Sequence, residues 1–144
     1  MTRLRAISAC LCGLACRYDG TTLPSDQRPK LDAGECLIPI CPEQLGGLPT
    51  PRPPATFRAG DGGDLLDGTA RLINAEGRDV SSAFLRGAEE TLFLCLSLGV
   101  DEVLLKANSP SCGASRVHDQ GGLRAGWGVT AALLSRHGLR VREW

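Results

Sequence analysis

Seven cysteines stand in a chain of 144 residues, at positions 10, 12, 16, 36, 41, 95 and 112. Two of them have neighbours able to move protons. Glu43 follows Cys41 by two residues in ICPEQLGG, and Ser109 and Ser111 precede Cys112 in NSPSCG. The opening MTRLRAISACLCGLAC is apolar only in short pieces broken by Cys, Gly and Ser, which fits a buried strand and loop rather than a signal peptide or membrane span. The expected location is therefore cytoplasmic, where a reducing milieu disfavours structural disulfides. The thiols are left with metal or cluster binding, nucleophilic or redox chemistry, or burial as small hydrophobes. No CxxC pair occurs, so the strongest signature of a structural zinc site or a thioredoxin-like pair is missing. Cys10-x-Cys12-x3-Cys16 matches no standard ferredoxin spacing either.

The elements that must position these groups follow from hydrophobic pattern and turn residues. Leu4–Ala9, Leu37–Ile40, Glu102–Lys106 and Leu139–Arg142 read as strands, with Pro39 suited to a sheet edge. Residues 70–73 suggest a further short strand. A long helix is expected from Val80 to Leu98, capped by Asp79, with Val80, Phe84, Ala88, Leu92 and Cys95 or Leu96 on its apolar face and Gly99 ending it. A second helix runs roughly from Val129 to His137. Between Pro49 and Ala55 four prolines in seven residues dictate a stiff, extended segment. The acidic GDGGDLLDG lacks the ligand pattern of an EF-hand loop and reads as structural turns. Strands separated by helical segments indicate a single α/β domain over residues 1–144, with a mostly parallel Rossmann-like sheet flanked by helices.

On that map Cys10, Cys41 and Cys112 each lie just beyond the carboxyl end of a strand. In an open parallel sheet those ends share one edge, and ligands bind in the crevice outside it. Three cysteines distant in sequence are thus expected to meet in one pocket. Three thiolates with one coordination position open suit an iron–sulfur cluster with one uncapped iron, or a catalytic zinc.

Several stretches then narrow the choice. ISACLCGLACRYDG, CPEQLGGLPTPRPPA, DLLDGTARL, DVSSAFLRGAEE, LLKANSPSCG and GVTAALLSRHGLRV follow in order through nearly the whole chain. Together they resemble a small bacterial family, long described as a domain of unknown function, whose characterised members include thiouracil desulfidases. The resemblance implies a [4Fe–4S] cluster held by Cys10, Cys41 and Cys112, with zinc as the runner-up, and a small thiolated base as substrate. It further implies an open iron acting as Lewis acid, Glu43 taking a proton from the attacking water, and Ser109 passing a proton to or from the ring or leaving group. Ser111 and Arg52 are candidate substrate contacts, against the alternatives of a turn residue and a solvated arginine. The chain departs from the family in its compact segment after RYDG and in RAGWG before the last helix, and this bears on the identity of the substrate.

Other residues fit plainer roles. Cys36 and Cys95 are expected in the core, and Cys12 and Cys16 are expected to pack, with Cys16 a reserve ligand. His118 sits in a polar loop and His137 in a last helical turn. Trp127 is either a stacking residue near the pocket or a partly buried indole. The helix start near Val129 offers N–H groups to an anion. Sixteen basic and sixteen acidic residues cancel, and no long basic tract exists, so neither duplex nucleic acid nor a membrane is an expected partner. The alternative to an enzyme is a module that binds a metal, a cluster or sulfide without turnover.

Overall fold

A computed structural model describes residues 3–144. Four strands form a parallel sheet in the order β2-β1-β5-β8, with β1 at Leu4–Ser8, β2 at Cys36–Ile40, β5 at Glu102–Leu105 and β8 at Arg140–Glu143. The chain steps from β1 outward to β2, then returns to the other side of β1 to lay down β5 and β8. The switch point between β1 and β5 is where a crevice opens in such sheets. All four residues of β5 are buried, as expected of a central parallel strand covered on both faces. Pro39, which has no N–H to donate, lies on the edge strand β2, in register with Ile7.

Side chains alternate between the two faces. Ala6, Val103 and Leu105 join a core with helices α3 (Ser81–Leu98) and α4 (Val129–Arg136). Ile7 and Leu104 point the other way, into a core closed by Leu11 and Leu23 from the segment after β1. One face of the sheet is therefore covered by helices and the other largely by loop. In α3 the buried face is Phe84, Gly87, Ala88, Thr91 and Cys95, while Leu96 is exposed. The helix begins at Ser81, and Asp79 accepts the Ser81 N–H at 2.9 Å, so the anticipated cap acts one residue outside the helix.

A second four-stranded sheet was not anticipated from the pattern. Its order is β4-β3-β6-β7, with β3 at Ala55–Arg58, β4 at Arg71–Asn74, β6 at Arg116–Asp119 and β7 at Gly122–Ala125. Only the β3–β6 pairing is parallel. β3 continues the extended proline segment, and β6 and β7 form a tight hairpin that places His118 on a strand instead of in a loop. Phe57, Leu72 and Val117 of this sheet pack against Phe84, Ala88 and Val129, so α3 and α4 are shared by both sheets. The acidic stretch expected as turns contains α2 (Gly62–Leu66), opened by a reciprocal capping box between Asp61 and Asp64. No helix among the described residues is long and apolar enough to cross a membrane.

Candidate active site

The carboxyl edge of the parallel sheet faces β3 and β6 across a cavity of about 510 Å³. Cys10, Cys41 and Cys112 all line it, and so does Cys16. β1 delivers Cys10 through a short 3₁₀ turn, Ala9–Cys12, that closes on Gly13 in a left-handed conformation. β2 delivers Cys41 to the N-cap of α1 (Pro42–Leu45), whose fixed proline φ suits the first helical position. Glu43 is in that first turn. α1 rests backbone to backbone on α3: a Cβ at Gly87 would strike the Pro42 carbonyl, and one at Gly46 the Ala83 carbonyl. Two glycines thereby fix the position of Cys41 and Glu43 against the longest helix.

Cys112 is delivered by the loop after β5. The Ser109 hydroxyl oxygen accepts the N–H groups of Ser111 at 3.2 Å and Cys112 at 3.1 Å, which curls the loop. The start of α4 clamps it from behind. Gly128 N donates to Gly113 O, Val129 N to Pro110 O, and Thr130 N and Ala131 N both to Ser111 O. These are the N–H groups that a helix start leaves unpaired, and here loop carbonyls take them. The expectation that they serve an anion is overturned for that reason. Gly128 has no room for a side chain, since a Cβ would lie 2.6 Å from the Ser111 carbonyl carbon and 2.8 Å from Cys112 N.

Glu43 is held on both oxygens. Arg52 Nε donates to Oε1 at 3.0 Å and the Ser111 hydroxyl to Oε2 at 3.3 Å. Ser111 is itself 3.1 Å from the Ser109 hydroxyl and 3.4 Å from Cys112 Sγ. A hydroxyl has one proton to give and two lone pairs. Ser109 spends both lone pairs on backbone N–H groups, so its proton goes to Ser111, whose own proton is then available to Glu43. The result is a hydrogen-bonded line from Ser109 through buried Ser111 to the carboxylate. Arg52, 8 % exposed, also donates to Pro49 O, Thr50 Oγ1 and Cys16 O, which commits four of its five N–H bonds inside the protein.

The thiols feel one another. A hydrogen bond from Cys16 holds the Cys10 pKa below the ordinary 9.0 in spite of burial, and the Lys106 charge adds to the effect. Cys41 is raised, by its bond to Cys16 first and burial second. Burial pushes Cys112 up to about 11, although the Ser8 hydroxyl favours its thiolate. Cys41 Sγ also reaches the Cys16 carbonyl at 3.9 Å. Among the described residues no three His, Cys, Asp or Glu side chains gather tightly enough to hold one metal ion. The cysteines line the walls of the cavity without closing on a single point.

The plainer expectations divide. Cys95 is buried in the core, where burial raises it to about 11. Cys36 is exposed, because it opens an edge strand and has no partner sheet beyond it. Cys16 is on the cavity wall instead of merely packed. Trp127 lies outside the cavity: its N–H binds Asp61 and its carbonyl accepts Gly62 N, so it tethers α2. His118, expected in a polar loop, lines the cavity from β6. Period-two alternation across RVHDQGGLRA, interrupted by a Gly-Gly turn, was the signal that would have found it.

Comparison with known proteins points to one family. A family model described as 2-thiouracil desulfurase matches residues 6–143. The uncharacterized protein YbbK of Bacillus subtilis (strain 168) is 42% identical over 138 residues, covering 94% of this chain and 91% of that protein. The solved structure of the [4Fe-4S]-dependent thiouracil desulfidase TudS (DUF523Vcz) superimposes with a TM-score of 0.80 at 38% identity, covering 99% of this chain and 91% of that one. A match through almost the full sequence, joined to a shared fold, establishes that the chain belongs to the 2-thiouracil desulfurase family.

Proposed function

We propose that this protein is an enzyme that hydrolyses the thiocarbonyl of a thiolated nucleobase to the oxo-base and sulfide, using a [4Fe–4S] cluster held by Cys10, Cys41 and Cys112. The observation that carries the reading is the convergence of these three cysteines, from three strand ends, on one cavity with Glu43 and the two serines in its wall. The donor set suits the group. Thiolates are the ligands of such clusters, and hydrogen bonds to their sulfurs tune them, a part open to Cys16 on Cys10 and to Ser8 on Cys112. A cluster has breadth, so ligands spread over a cavity wall suit it better than they suit one zinc ion. When bound it supplies a Lewis acid for the exocyclic sulfur.

The chain's own residues manage the protons. Net reaction exchanges C=S for C=O, consumes one water and releases hydrogen sulfide, with no electrons gained or lost. Glu43 lines the cavity as a carboxylate and takes a proton from the attacking water. Ser111 links it to Ser109, so a proton gained by Glu43 reverses the line and frees the Ser109 proton for the leaving group, once Ser109 gives up one of its two backbone bonds to accept from Ser111. Arg52 keeps the carboxylate turned toward the cavity, and its single uncommitted N–H is left for the substrate. In this reading Ser111 contributes chiefly as the link. Seven free thiols suit a reducing, cytoplasmic setting.

The test is anaerobic reconstitution followed by iron and labile sulfide analysis, then addition of 2- and 4-thiouracil while sulfide release and thiocarbonyl absorbance are followed. About four irons per chain with turnover abolished in Glu43→Ala is the expected result. Cluster incorporation with no turnover of any thiolated base would instead favour a binding module, and full activity after complete removal of iron would overturn the cofactor assignment.

A further inference from the structure

We propose that Asn108 reads the substrate ring, pairing its side-chain amide with the –NH–C(=O)– edge that flanks the carbon losing sulfur. The inference rests on the functional reading above and names the recognition element of that site.

Asn108 lines the cavity between Lys106 and Ser109. Its φ of 67° lies in the left-handed region, which asparagine enters more readily than most side-chain-bearing residues and which recurs at ligand clamps and active sites. Glycine would meet a need for that backbone shape alone without strain. The chain keeps an amide there instead. The loop holds it firmly on both sides: Ala107 N donates to Trp144 O at 2.7 Å, Lys106 N to Ser8 Oγ at 3.0 Å, and the Ser109 hydroxyl accepts two backbone N–H groups just beyond. Among the described residues no hydrogen bond engages the Asn108 side chain. A half-buried amide facing a cavity on an anchored loop is therefore available to a ligand.

The chemistry selects the ligand edge. An asparagine amide offers one acceptor and two donors in a plane, which matches a neighbouring ring N–H and carbonyl, or a ring acceptor and amine, by two parallel bonds. In 2-thiouracil and in 4-thiouracil alike, N3–H lies between the thiocarbonyl and the remaining carbonyl. Whichever sulfur is presented for removal, the same N–H and C=O edge follows it. One asparagine thus serves both isomers, and it discriminates against rings whose N3 is blocked.

The experiment is a two-by-two comparison: wild type and Asn108→Gly, each with 4-thiouracil and 3-methyl-4-thiouracil, followed by sulfide release from the reconstituted enzyme. Glycine preserves the positive φ while deleting the amide. The expected outcome is a KM rise of about tenfold for 4-thiouracil, the scale of two ordinary hydrogen bonds, with kcat within about threefold. N3-methylation should then penalise the wild type strongly and the glycine variant little. Asn108→Asp, equal in shape but without the N–H donors, should resemble the glycine variant on 4-thiouracil. Equal penalties for methylation in wild type and variant, or a KM unchanged by either substitution, would overturn the inference while leaving the enzyme reading intact. Failure of the wild type to release sulfide from any thiolated pyrimidine would overturn both.

Discussion

Ser111 occupies a position where one oxygen atom touches three functions. It donates toward Glu43, accepts from Ser109 and lies beside the sulfur of Cys112, all at 1 % exposure. Its backbone carbonyl, meanwhile, ends the first turn of α4. Removing the hydroxyl alone separates these roles. Ser111→Ala should lower kcat by about 100-fold, the lower end of what positioned proton transfer contributes, with KM and iron content unchanged. A normal iron content with a lost solvent isotope effect would mark the defect as one of proton movement. Arg52→Met tests a different link. With its N–H bonds gone, Glu43, Thr50 and the Cys16 carbonyl lose their common anchor. Both kcat and the protection of the Cys16 loop against hydrogen exchange should then fall together.

Elements are seated here by the absence of side chains as much as by their presence. Gly87 and Gly46 let α1 touch α3 through backbone, and Gly128 lets the start of α4 grip the Cys112 loop. Gly87→Ala places a methyl where the Pro42 carbonyl stands. The forced shift should cost about 1–3 kcal/mol, the usual range for overpacking, and it should displace Glu43 more than any residue of the sheet. Urea unfolding with a parallel activity assay checks both. α2 carries its own electrostatic signature. Burial works to raise the Asp61 pKa, but N–H bonds from Trp127 and Asp64 outweigh it and hold the group below the ordinary 3.8. A carboxylate depressed in the folded state stabilises it above the unfolded pKa, and the contribution disappears as pH falls through the folded value. Asp61→Asn should therefore be less stable than wild type at pH 7, with the gap closing below about pH 3.8.

At the scale of the whole molecule the two ends of the parallel sheet have different work. The carboxyl end holds the cavity. The amino end holds Glu102, 2 % exposed, on β5, facing Arg3 and Arg5 from the start of β1 on one side and Arg140 and Arg142 of β8 on the other. One buried carboxylate thus ties β1, β5 and β8 together where the sheet has no ligand to close around. Most of the arginines are partly solvated, which weakens the pairs, and Arg5 and Arg140 also pair with Glu35 and Asp101, yet removing the acid takes from Arg3 and Arg142 the carboxylate they pair with among the described residues. Glu102→Ala should cost about 2–3 kcal/mol, less than the loss of a fully buried pair. The specific activity of the molecules that remain folded should be unchanged, since the substitution lies at the opposite edge from the cavity.

Local pattern was enough to specify the parallel sheet, its two helices and the three loops that carry Cys10, Cys41 and Cys112. Those features are local: apolar runs of strand length, helical periodicity ended by glycine, and cysteines placed just past a strand. Pro39 even announced which strand lies at the edge. The remainder depends on packing between distant segments. The second sheet is built from four-residue strands whose only parallel pairing joins residues more than fifty positions apart, and no local pattern that short specifies a partner. That sheet brings His118 to the cavity and Thr56 with it. The same holds for Cys16, for the line from Ser109 to Glu43 and for the use of the α4 start by loop carbonyls. Residue type and spacing say which groups can bond, but hydrogen bonds form over about 3 Å, and only the packed chain sets which groups come that close.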